Sequence, residues 1–379
     1  MKNLNVVIIH NIISPHTISL FRELAKKVDL TVFYCAEKEK NRRWKETPTG
    51  FNYKVLPNFS VKLQGKDLFT YFINPTVFKE LSSLKPDVVM LAGWDLFAYQ
   101  VAFIYCKLKK IKIILWSGST KYEPSWRRTL ASSLVRLIIS ASDAFVVYGQ
   151  RAKEYLVELG ANKNKIFVSY NTTDIDKYEE LCRKYLTNKL MLKKSLELTG
   201  KRIILYYGQL IERKGADVLI KAFARVKDKI ADLALLIIGS GVYKDELVDL
   251  STNLNSSDVK FIDDPGDEQI SRYYSVADIF VLPSREEVWG LVVNQAMVCG
   301  LPVIVSNVAG CSADLVKEGE NGYVFRSGSV NDLTKKIFLI LGNENKSREM
   351  GKVSHRIMDN FTPQKTVGGV LAAIKEVTK

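Results

Sequence analysis

The chain has 379 residues, a length that suits two domains of ordinary size. Of these residues 47% are hydrophobic and 25% are charged, which is typical of a globular protein. Three histidines and five scattered cysteines argue against a histidine metal site and predict reduced thiols in a cytosolic protein. No apolar run approaches the roughly 20 residues of a membrane span, and a strand at Leu4–Ile9 predicts that no secretory leader is present.

The net charge of +14 lies almost entirely in the first half of the chain. Residues 1–190 contain 30 Lys and Arg against 17 Asp and Glu, a difference of +13, and residues 191–379 contain 25 against 24, a difference of +1. An anionic membrane surface, a lipid pyrophosphate or nucleic acid can each bind such a basic half, and solubility alone is the simpler explanation. No RNP, zinc-finger or helix-turn-helix signature is present, so we predict no nucleic-acid partner.

In chain order, residues 1–185 alternate short apolar strands with helices, which is typical of an α/β domain with a doubly wound parallel sheet. The predicted strands are Asn5–His10, Leu30–Cys35, Asn52–Leu56, Val88–Leu91, Lys112–Trp116, Ala144–Val147 and Ile166–Ser169. The predicted helices are His16–Lys27, Pro75–Leu84, Leu96–Lys109, Trp126–Ser140 and Gln150–Leu159. The sequence therefore predicts a first Rossmann-like domain over residues 1–185.

Residues 186–355 repeat the alternation and predict a second Rossmann-like domain. The predicted strands are Ile203–Gly208, Leu233–Ile238, Val259–Phe261, Ile279–Leu282 and Val303–Val305, and a turn and strand are predicted at Gly319–Phe325. The predicted helices are Ala216–Val226, Lys244–Leu254, Glu268–Ser275, Ser312–Val316 and Asn331–Leu341. The boundary is placed within the charged helical segment Tyr178–Gly200, and a last helix is predicted in residues 356–379.

The most informative stretch is residues 282–305, LPSREEVWGLVVNQAMVCGLPVIV. Its side chains recur at helical spacing, at Leu291, Val292, Gln295, Ala296 and Cys299. Gly300 ends this helix before a buried strand, and Glu286 and Glu287 precede it. A helix start of this kind, with Gly290 allowing close approach, predicts a phosphate site.

This stretch resembles the nucleotide-sugar site of GT-B fold glycosyltransferases of the GT4 family, whose pattern PSxxExxGLVxxEAMxxGxPVI contains two glutamates separated by seven residues. Glu287 fits the first glutamate, and Gln295 stands at the second. Three further segments fit the family's patterns, namely YYGQLIERKGADVLIKAF (206–223), RYYSVADIFVLPS (272–284) and KIFVSYNTTDIDKY (165–178). The resemblance implies two Rossmann-like domains that face a cleft, with the last helix returning to the first domain.

The resemblance also implies a donor site in the second domain. Lys214 matches the family's phosphate lysine, with Arg213 beside it, whereas Gln209 replaces an arginine usual in the family. The expected donor-binding residues are Gly208, Gln209, Arg213, Lys214, Glu287, Val288, Trp289, Gly290, Leu291 and Gln295. Gln295 predicts weakened or retuned ribose binding, because neutral hydrogen bonds are weaker than charged ones.

In the first domain, Ser14 suits the N-cap of a helix that begins at Pro15, and the family's phosphate loop lies at this place. His16 either contacts a substrate, and is then a catalytic candidate with Lys214 and Glu287, or is a capping or surface residue. Ser117 and Ser119 occupy the loop where many family members carry His-Asp, and together with Ser14 they are the candidates for contact with the acceptor in the cleft. No loop after a strand carries a metal-binding Asp-x-Asp, so we predict transfer without a metal or other cofactor.

Residues 121–139 mix tryptophan and arginine with leucine in a pattern typical of an interfacial amphipathic helix, and equally of a helix packed on a sheet. Together with the basic first half, they lead us to predict peripheral attachment to the inner face of the cell membrane, which is anionic, and a lipid-linked saccharide acceptor.

The resemblance as a whole predicts a cytoplasmic, retaining glycosyltransferase of the hexosyltransferase type. It moves a sugar from a nucleotide-diphosphate sugar to a glycan acceptor in the biosynthesis of a cell-surface polysaccharide or glycoconjugate. One alternative is a donor-binding partner or scaffold whose catalysis is weakened by Gln209 and Gln295. The other is a nucleotide-sugar 2-epimerase of the same fold, although the acid residues of that enzyme are missing here.

Overall fold

The computed structural model describes residues 3–38, 47–63, 69–123, 132–254, 256, 258–266 and 268–379. The chain divides into two compact units. Unit 1 comprises residues 1–171 and 363–379, and unit 2 comprises residues 172–362. Each unit contains a parallel sheet and packed helices, which confirms the predicted α/β class.

The strands of unit 1 are β1 Asn5–Ile12, β2 Asp29–Ala36, β3 Asn52–Val55, β4 Phe59–Leu63, β5 Phe69–Ile73, β6 Val88–Leu91, β7 Lys112–Ser117, β8 Ala144–Val147 and β9 Ile166–Val168. The parallel sheet has the strand order β3-β2-β1-β6-β7-β8-β9. Strands β4 and β5 form a separate antiparallel pair, which was not predicted from the sequence. Alternate residues of β1 enter two different apolar cores, with Val7 in one and Val6 in the other. The strands are therefore covered on both faces, which explains their continuous apolar runs.

The helices of the first 171 residues lie close to their predicted places. They are α1 Pro15–Ala25, α2 Val77–Leu84, α3 Phe97–Lys109, α4 Ser132–Ala141 and α5 Gln150–Glu158. The helix predicted at Trp126–Ser140 is described only from Ser132 onward, and residues 124–131 lie outside the described residues.

The parallel sheet of unit 2 has the strand order β12-β11-β10-β13-β14-β15. The strands are β10 Arg202–Tyr207, β11 Leu233–Ile238, β12 Val259–Ile262, β13 Ile279–Leu282, β14 Val303–Ser306 and β15 Gly322–Phe325. The helices of unit 2, in chain order, are α6 Ile175–Leu186, α7 Lys189–Ser195, α8 Ala216–Lys227, α9 Lys244–Asn253, α10 Ile270–Val276, α11 Leu291–Val298, α12 Ser312–Leu315, α13 Val330–Leu341 and α14 Glu344–Met358. Helix α14 was not predicted.

The units do not divide at the predicted boundary of 185/186. Helix α6 belongs to unit 2, because its Tyr178 hydroxyl accepts a 2.7 Å hydrogen bond from Gln295 of α11. The last helix, α15 (Pro363–Val377), belongs to unit 1, where the Ser169 hydroxyl donates a 2.9 Å hydrogen bond to the Thr366 carbonyl. The local sequence gives the helices, but these long-range contacts decide which unit each helix joins.

The prediction of reduced thiols is wrong for two of the five cysteines. Cys182 of α6 and Cys299, directly after α11, form a disulfide with their Cα atoms 5.7 Å apart. The two residues are 117 positions apart in the sequence, so their spacing gave no sign of the bond. Cys35, Cys106 and Cys311 are buried and do not take part in a disulfide.

Within the described ranges, no helix is both long enough and apolar enough to cross a membrane.

Candidate functional site

Eight of the ten predicted donor residues lie on two loops of unit 2 that begin at neighbouring strands, and the other two, Leu291 and Gln295, lie in helix α11. One loop, residues 208–215, follows β10, and the other, residues 283–290, follows β13. The two strands pair in parallel, with Ile204 opposite Ile279. Because parallel neighbours end at the same edge of a sheet, the two loops meet there, which is where ligands bind in open α/β sheets.

The meeting of the two loops brings Lys214 and Glu287 into contact. The Lys214 Nζ atom lies 2.5 Å from Glu287 Oε2, and each side chain is only 14% exposed. The Ser284 hydroxyl also donates to this carboxylate oxygen, at 3.5 Å. The structure thus places two of the three residues predicted to be catalytic in one partly buried ion pair, where charges are screened less than at the surface.

The backbones of the two loops are joined next to this ion pair. The Arg213 carbonyl accepts hydrogen bonds from the amides of Arg285, at 2.8 Å, and Glu286, at 3.3 Å. Gly215 is left-handed, with φ of +69°, and a Cβ atom there would lie 2.2 Å from the Pro283 carbonyl oxygen. The glycine after Lys214 therefore permits both the turn and the close approach of the two backbones.

A third segment, residues 309–311 after β14, supports the loop that carries Glu287. The Gly310 amide donates to the Glu287 carbonyl and the Cys311 amide donates to the Trp289 carbonyl, both at 3.1 Å. A Cβ atom at Gly310 would lie 1.9 Å from the Val288 carbonyl oxygen. Sequence reasoning missed this segment, because the residue that Gly310 approaches is far away along the chain.

Gln209 is held by its main chain, because the buried Tyr206 hydroxyl donates a 2.9 Å hydrogen bond to its carbonyl. Burial raises the pKa of Tyr206, and the nearby Glu287 carboxylate raises it further, so the phenol stays a donor at neutral pH. A Cβ atom at Gly239 would lie 1.8 Å from the Gly208 carbonyl oxygen, so the loop after β11 packs tightly against the start of this loop. This contact was also missed.

The remaining donor candidates have different surroundings. Val288 is exposed, whereas the buried Trp289 indole donates a 2.9 Å hydrogen bond to Asn294 Oδ1. Gly290, with φ of +102°, stands at the N-cap of α11, which begins at Leu291. The hydrogen bond from the buried Trp289 indole to Asn294 thus holds the start of α11 in place.

Gln295 lies inside unit 2, with 2% of its surface exposed. Its Nε2 donates to the Tyr178 hydroxyl at 2.7 Å, and its Oε1 accepts from the Tyr274 hydroxyl at 3.0 Å. Both polar atoms of the amide thus have a partner within the unit. A contact between Gln295 and a donor nucleotide stays a prediction.

The candidates in unit 1 lie at the ends of β1 and β7. Ser14 is the buried N-cap residue of α1, and its carbonyl accepts a 3.1 Å hydrogen bond from the Thr17 hydroxyl. His16 lies in the first turn of this helix and is half-buried. The Ser119 amide donates to the Ser117 hydroxyl at 3.2 Å, so these two candidates lie together. Roles of these residues in acceptor binding or catalysis stay predictions.

In the part of the chain that the structure describes, no group of three or more His, Cys, Asp or Glu side chains is placed to hold a metal ion. Transfer without a metal stays a prediction, which activity in the presence of a chelator would test.

Comparison with known families identifies the chain. A family model described as Glycosyltransferase Family 4 matches residues 13–177, and one described as Glycosyl transferases group 1 matches residues 187–356. The chain belongs to the GT-B glycosyltransferases of the GT4 type. The two matched regions contain every residue that we predicted for the site.

Two curated relatives of this GT4-type chain have named activities. Sulfoquinovosyl transferase SQD2 of Arabidopsis thaliana is 23% identical over 299 residues, which are 76% of this chain and 56% of the relative. D-inositol 3-phosphate glycosyltransferase of Nocardia farcinica is 29% identical over 243 residues, which are 62% of this chain and 52% of the relative. The matches thus span about half the length of these relatives.

Solved structures share the fold over nearly the whole chain. Anabaena Alr3699/HepE, crystallised with UDP and glucose, superimposes with a TM-score of 0.76 at 17% identity and covers 98% of this chain and 99% of that one. WaaG, a glycosyltransferase involved in lipopolysaccharide biosynthesis, superimposes with a TM-score of 0.67 at 15% identity, with coverages of 98% and 99%. These structures confirm the GT-B fold of the GT4-type chain.

Proposed function

We propose that this protein is a retaining glycosyltransferase of the hexosyltransferase type that moves a sugar from a nucleotide diphosphate to a glycan hydroxyl. The observation that carries the proposal is the contact between Lys214 and Glu287 where the loops after β10 and β13 meet. The names of the relatives and the UDP bound to Alr3699/HepE agree with a nucleotide-sugar donor.

Each member of the ion pair has a role in this proposal. Lys214, with Arg213 beside it, neutralises the charge that develops on the diphosphate as it leaves. When the phosphate oxygens of the donor bind the Lys214 ammonium group, its ion pair with Glu287 breaks. The Glu287 carboxylate can then accept a hydrogen bond from a sugar hydroxyl or stabilise positive charge at the anomeric carbon. In the absence of donor the two charges balance each other, so neither stands alone in a partly buried site.

The remaining steps require little chemistry from the protein. The acceptor hydroxyl attacks the anomeric carbon as the bond from that carbon to the diphosphate breaks, and the departing phosphate oxygen takes the hydroxyl's proton, so neither a protein nucleophile nor a protein base is needed. Lys214 and Arg213 supply the positive charge that a metal ion would otherwise bring. In unit 1, Ser14, Ser117 and Ser119 contact the acceptor in this proposal, and His16 contacts the donor or the acceptor. Neutral hydroxyls suit an acceptor that the protein must orient but need not itself deprotonate.

The donor and the alternatives are tested by one screen. Release of nucleotide is measured for a panel of UDP-, GDP- and ADP-sugars, with and without a lipid-linked saccharide acceptor. Acceptor-dependent release supports transfer, and tight binding without release indicates a donor-binding scaffold. Conversion of the sugar into its 2-epimer without an acceptor indicates an epimerase. A panel in which no nucleotide sugar binds rules out the donor site altogether.

We also propose that unit 1 attaches the protein to the inner face of the cell membrane, where it adds sugars to a lipid-linked saccharide in the biosynthesis of a cell-surface polysaccharide or glycoconjugate. Helices α3 and α4 are adjacent, because Lys107 Nζ donates a 2.6 Å hydrogen bond to the Ala141 carbonyl. Both helices expose apolar side chains, namely Ile104 and Leu108 on α3 and Leu134 and Leu137 on α4. Lys107 and Lys109 of α3, Lys110 directly after it and Arg136 of α4 suit anionic headgroups.

Vesicle sedimentation tests this attachment. Binding to anionic vesicles is expected to weaken as salt is raised, because salt screens the attraction between exposed charges. Leu108→Ser with Leu137→Ser is expected to lower binding further, whereas Leu190→Ser, at an exposed leucine of unit 2, serves as the control. Equal binding to neutral and anionic vesicles would exclude the electrostatic part of the proposal.

A further inference from the structure

A second ion pair of unit 2 joins the loop after β13 to the first turn of α8, and neither of its members was among the predicted site residues. Arg285 Nη1 lies 2.7 Å from Asp217 Oδ1, and Arg285 Nη2 lies 2.7 Å from Asp217 Oδ2. Asp217 is in the first turn of α8, directly after the loop that carries Lys214, and is 5% exposed. Arg285 is two residues before Glu287 in the other loop. The pair therefore connects the two segments that carry the proposed catalytic residues.

The geometry of this pair is suited to fixing a position. Two parallel hydrogen bonds from a planar guanidinium to a carboxylate restrict both distance and orientation. Burial raises the pKa of Asp217, but the hydrogen bonds and the charge of Arg285 outweigh burial and hold this pKa below its usual value. Asp217 therefore stays ionised at neutral pH, and its place in the first turn of a helix favours the negative charge further.

Arg285 is also bonded to the backbone of the Lys214 loop. Its Nη1 donates a 2.8 Å hydrogen bond to the Glu212 carbonyl, and its own amide donates to the Arg213 carbonyl at 2.8 Å. With Asp217, these bonds hold the chain on both sides of Lys214. The Lys214 side chain reaches Glu287 from a backbone whose position Arg285 determines.

We infer that Arg285 and Asp217 are positioning residues that set the place of Lys214 for the donor's diphosphate. The inference rests on the proposed function, because it assumes that Lys214 binds phosphate. Without the pair, the loop is still held by its main-chain hydrogen bonds, but the backbone of Lys214 is less fixed in position. The ammonium group is then no longer pre-organised for the diphosphate. The effect is then specific for ligands that carry the diphosphate.

The experiment measures the binding of UDP, GDP and ADP, and of the corresponding nucleosides, to wild-type protein and to Arg285→Gln and Asp217→Asn by calorimetry. We expect both variants to bind the preferred diphosphate about tenfold more weakly, the size of one lost charge-assisted hydrogen bond. Affinity for the nucleoside is expected to stay unchanged. Arg285→Lys keeps the charge but not the forked geometry, and is expected to lie between wild type and Arg285→Gln.

The double variant separates positioning from a general loss of structure. In a Lys214→Ala background, Arg285→Gln is expected to cause no further loss of diphosphate affinity, because the residue that it positions is gone. The control is Arg348→Gln, which removes an exposed ion pair with Glu344, 3.2 Å long, from the same unit. Thermal unfolding of each variant shows which ones are folded at the assay temperature.

The results distinguish failure of this inference from failure of the proposed function. If Lys214→Ala weakens diphosphate binding but the folded Arg285 and Asp217 variants do not, the positioning role is wrong. Losses that add in the double variant, or equal losses for nucleoside and diphosphate, overturn it as well. If none of the three diphosphates binds to the wild-type protein, the donor site itself is rejected and the positioning role with it.

Discussion

The two units have parallel sheets of the same kind, but the loops at their strand ends are built differently. In unit 2, the ion pair Lys214–Glu287 joins the loops after β10 and β13, and the ion pair Arg285–Asp217 joins the second loop to the start of α8. In unit 1, backbone amides after β7 donate to side chains two and three positions away, from Ser119 to the Ser117 hydroxyl and from Thr120 to the Glu123 carboxylate. One site is thus fixed by long-range contacts between charges, and the other contains short-range contacts between backbone amides and side-chain oxygens.

The difference agrees with the two tasks in the proposed reaction. A diphosphate requires cations at fixed positions, and holding them in advance lowers the cost of organising them when the donor binds. A sugar acceptor carries hydroxyls, and small polar side chains can hydrogen-bond to many arrangements of them. The donor half of such a protein is therefore expected to vary less in structure than the acceptor half.

The largest effect is expected when the cation of unit 2 is removed. Lys214→Ala should lower turnover by roughly a hundredfold or more, because one lost transition-state donor costs about 3 kcal/mol. Steady-state kinetics with the preferred donor gives the result, and Lys352→Ala, at an exposed lysine of α14, is the control. Unchanged turnover in the folded Lys214→Ala variant would remove Lys214 from the site.

The cysteines give the next comparison. Unit 2 is cross-linked between Cys182 and Cys299, whereas burial raises the pKa of the Cys35 and Cys106 thiols in unit 1 to about 12. Reduction of the disulfide should lower the free energy of unfolding of unit 2 by about 2 to 4 kcal/mol, because the bond closes a long loop. Denaturant unfolding with and without reductant measures this loss.

Counting thiols checks the same bond directly. In denatured protein, alkylation should modify three cysteines without reductant and all five with it. Five modified cysteines without reductant would show that the disulfide is not formed and would restore the prediction of reduced thiols. This count also bears on the proposed cytoplasmic location, because disulfides are rare in that compartment.

Unit 1 has its own sensitivity to pH, through His10 of β1. The ring is buried among Phe21, Tyr34 and Trp116, and its Nδ1 atom lies 3.0 Å from the Ile12 carbonyl oxygen. Burial lowers the pKa of His10 from 6.5 to about 4, although the carbonyl opposes the shift. The unfolded chain therefore takes up the proton first, so stability should fall as the pH drops from 6.5 towards 4.

The loss attributable to His10 should approach about 3 kcal/mol at pH 4, since each pKa unit corresponds to about 1.4 kcal/mol. Carboxylates titrate in the same range, so the measurement is the difference between wild type and His10→Gln in denaturant unfolding at pH 7 and pH 4.5. Parallel pH profiles of the two proteins would show that His10 is not buried in its neutral form.

A smaller effect is expected at Gln295, where the amide is bonded to two tyrosines. In Gln295→Glu, burial should raise the pKa of the introduced carboxyl, so the variant should lose stability as pH rises above about 4.3, the usual glutamate value. At neutral pH we expect a loss of about 1 to 2 kcal/mol and no gain in donor affinity. Unfolding at pH 5 and pH 7, with nucleotide titration, checks both. Tighter nucleotide binding would instead place residue 295 at the ribose.

The sequence by itself determined the secondary structure of the sheet strands and most helices, and the local form of the donor loops. Continuous apolar runs such as Leu233–Ile238, which are short and alternate with helices, favour strands buried on both faces, and a glycine after Lys214 favours a left-handed turn. These features depend on neighbouring residues, so a linear pattern contains them. The polar helix α14 was missed because its apolar positions are sparse.

Only the tertiary structure decided which residues meet. Lys214 and Glu287 are 73 residues apart, Asp217 and Arg285 are 68 apart, and Gln295 and Tyr178 are 117 apart. Such contacts follow from strand order and from the way loops meet at one edge of a sheet, and no local periodicity encodes either. The resemblance to a known family was enough to single out Lys214 and Glu287. The contact between Arg285 and Asp217 depends on the pairing of β10 with β13, and the Cys182–Cys299 bond depends on the packing of α6 on α11, so only the tertiary structure shows them.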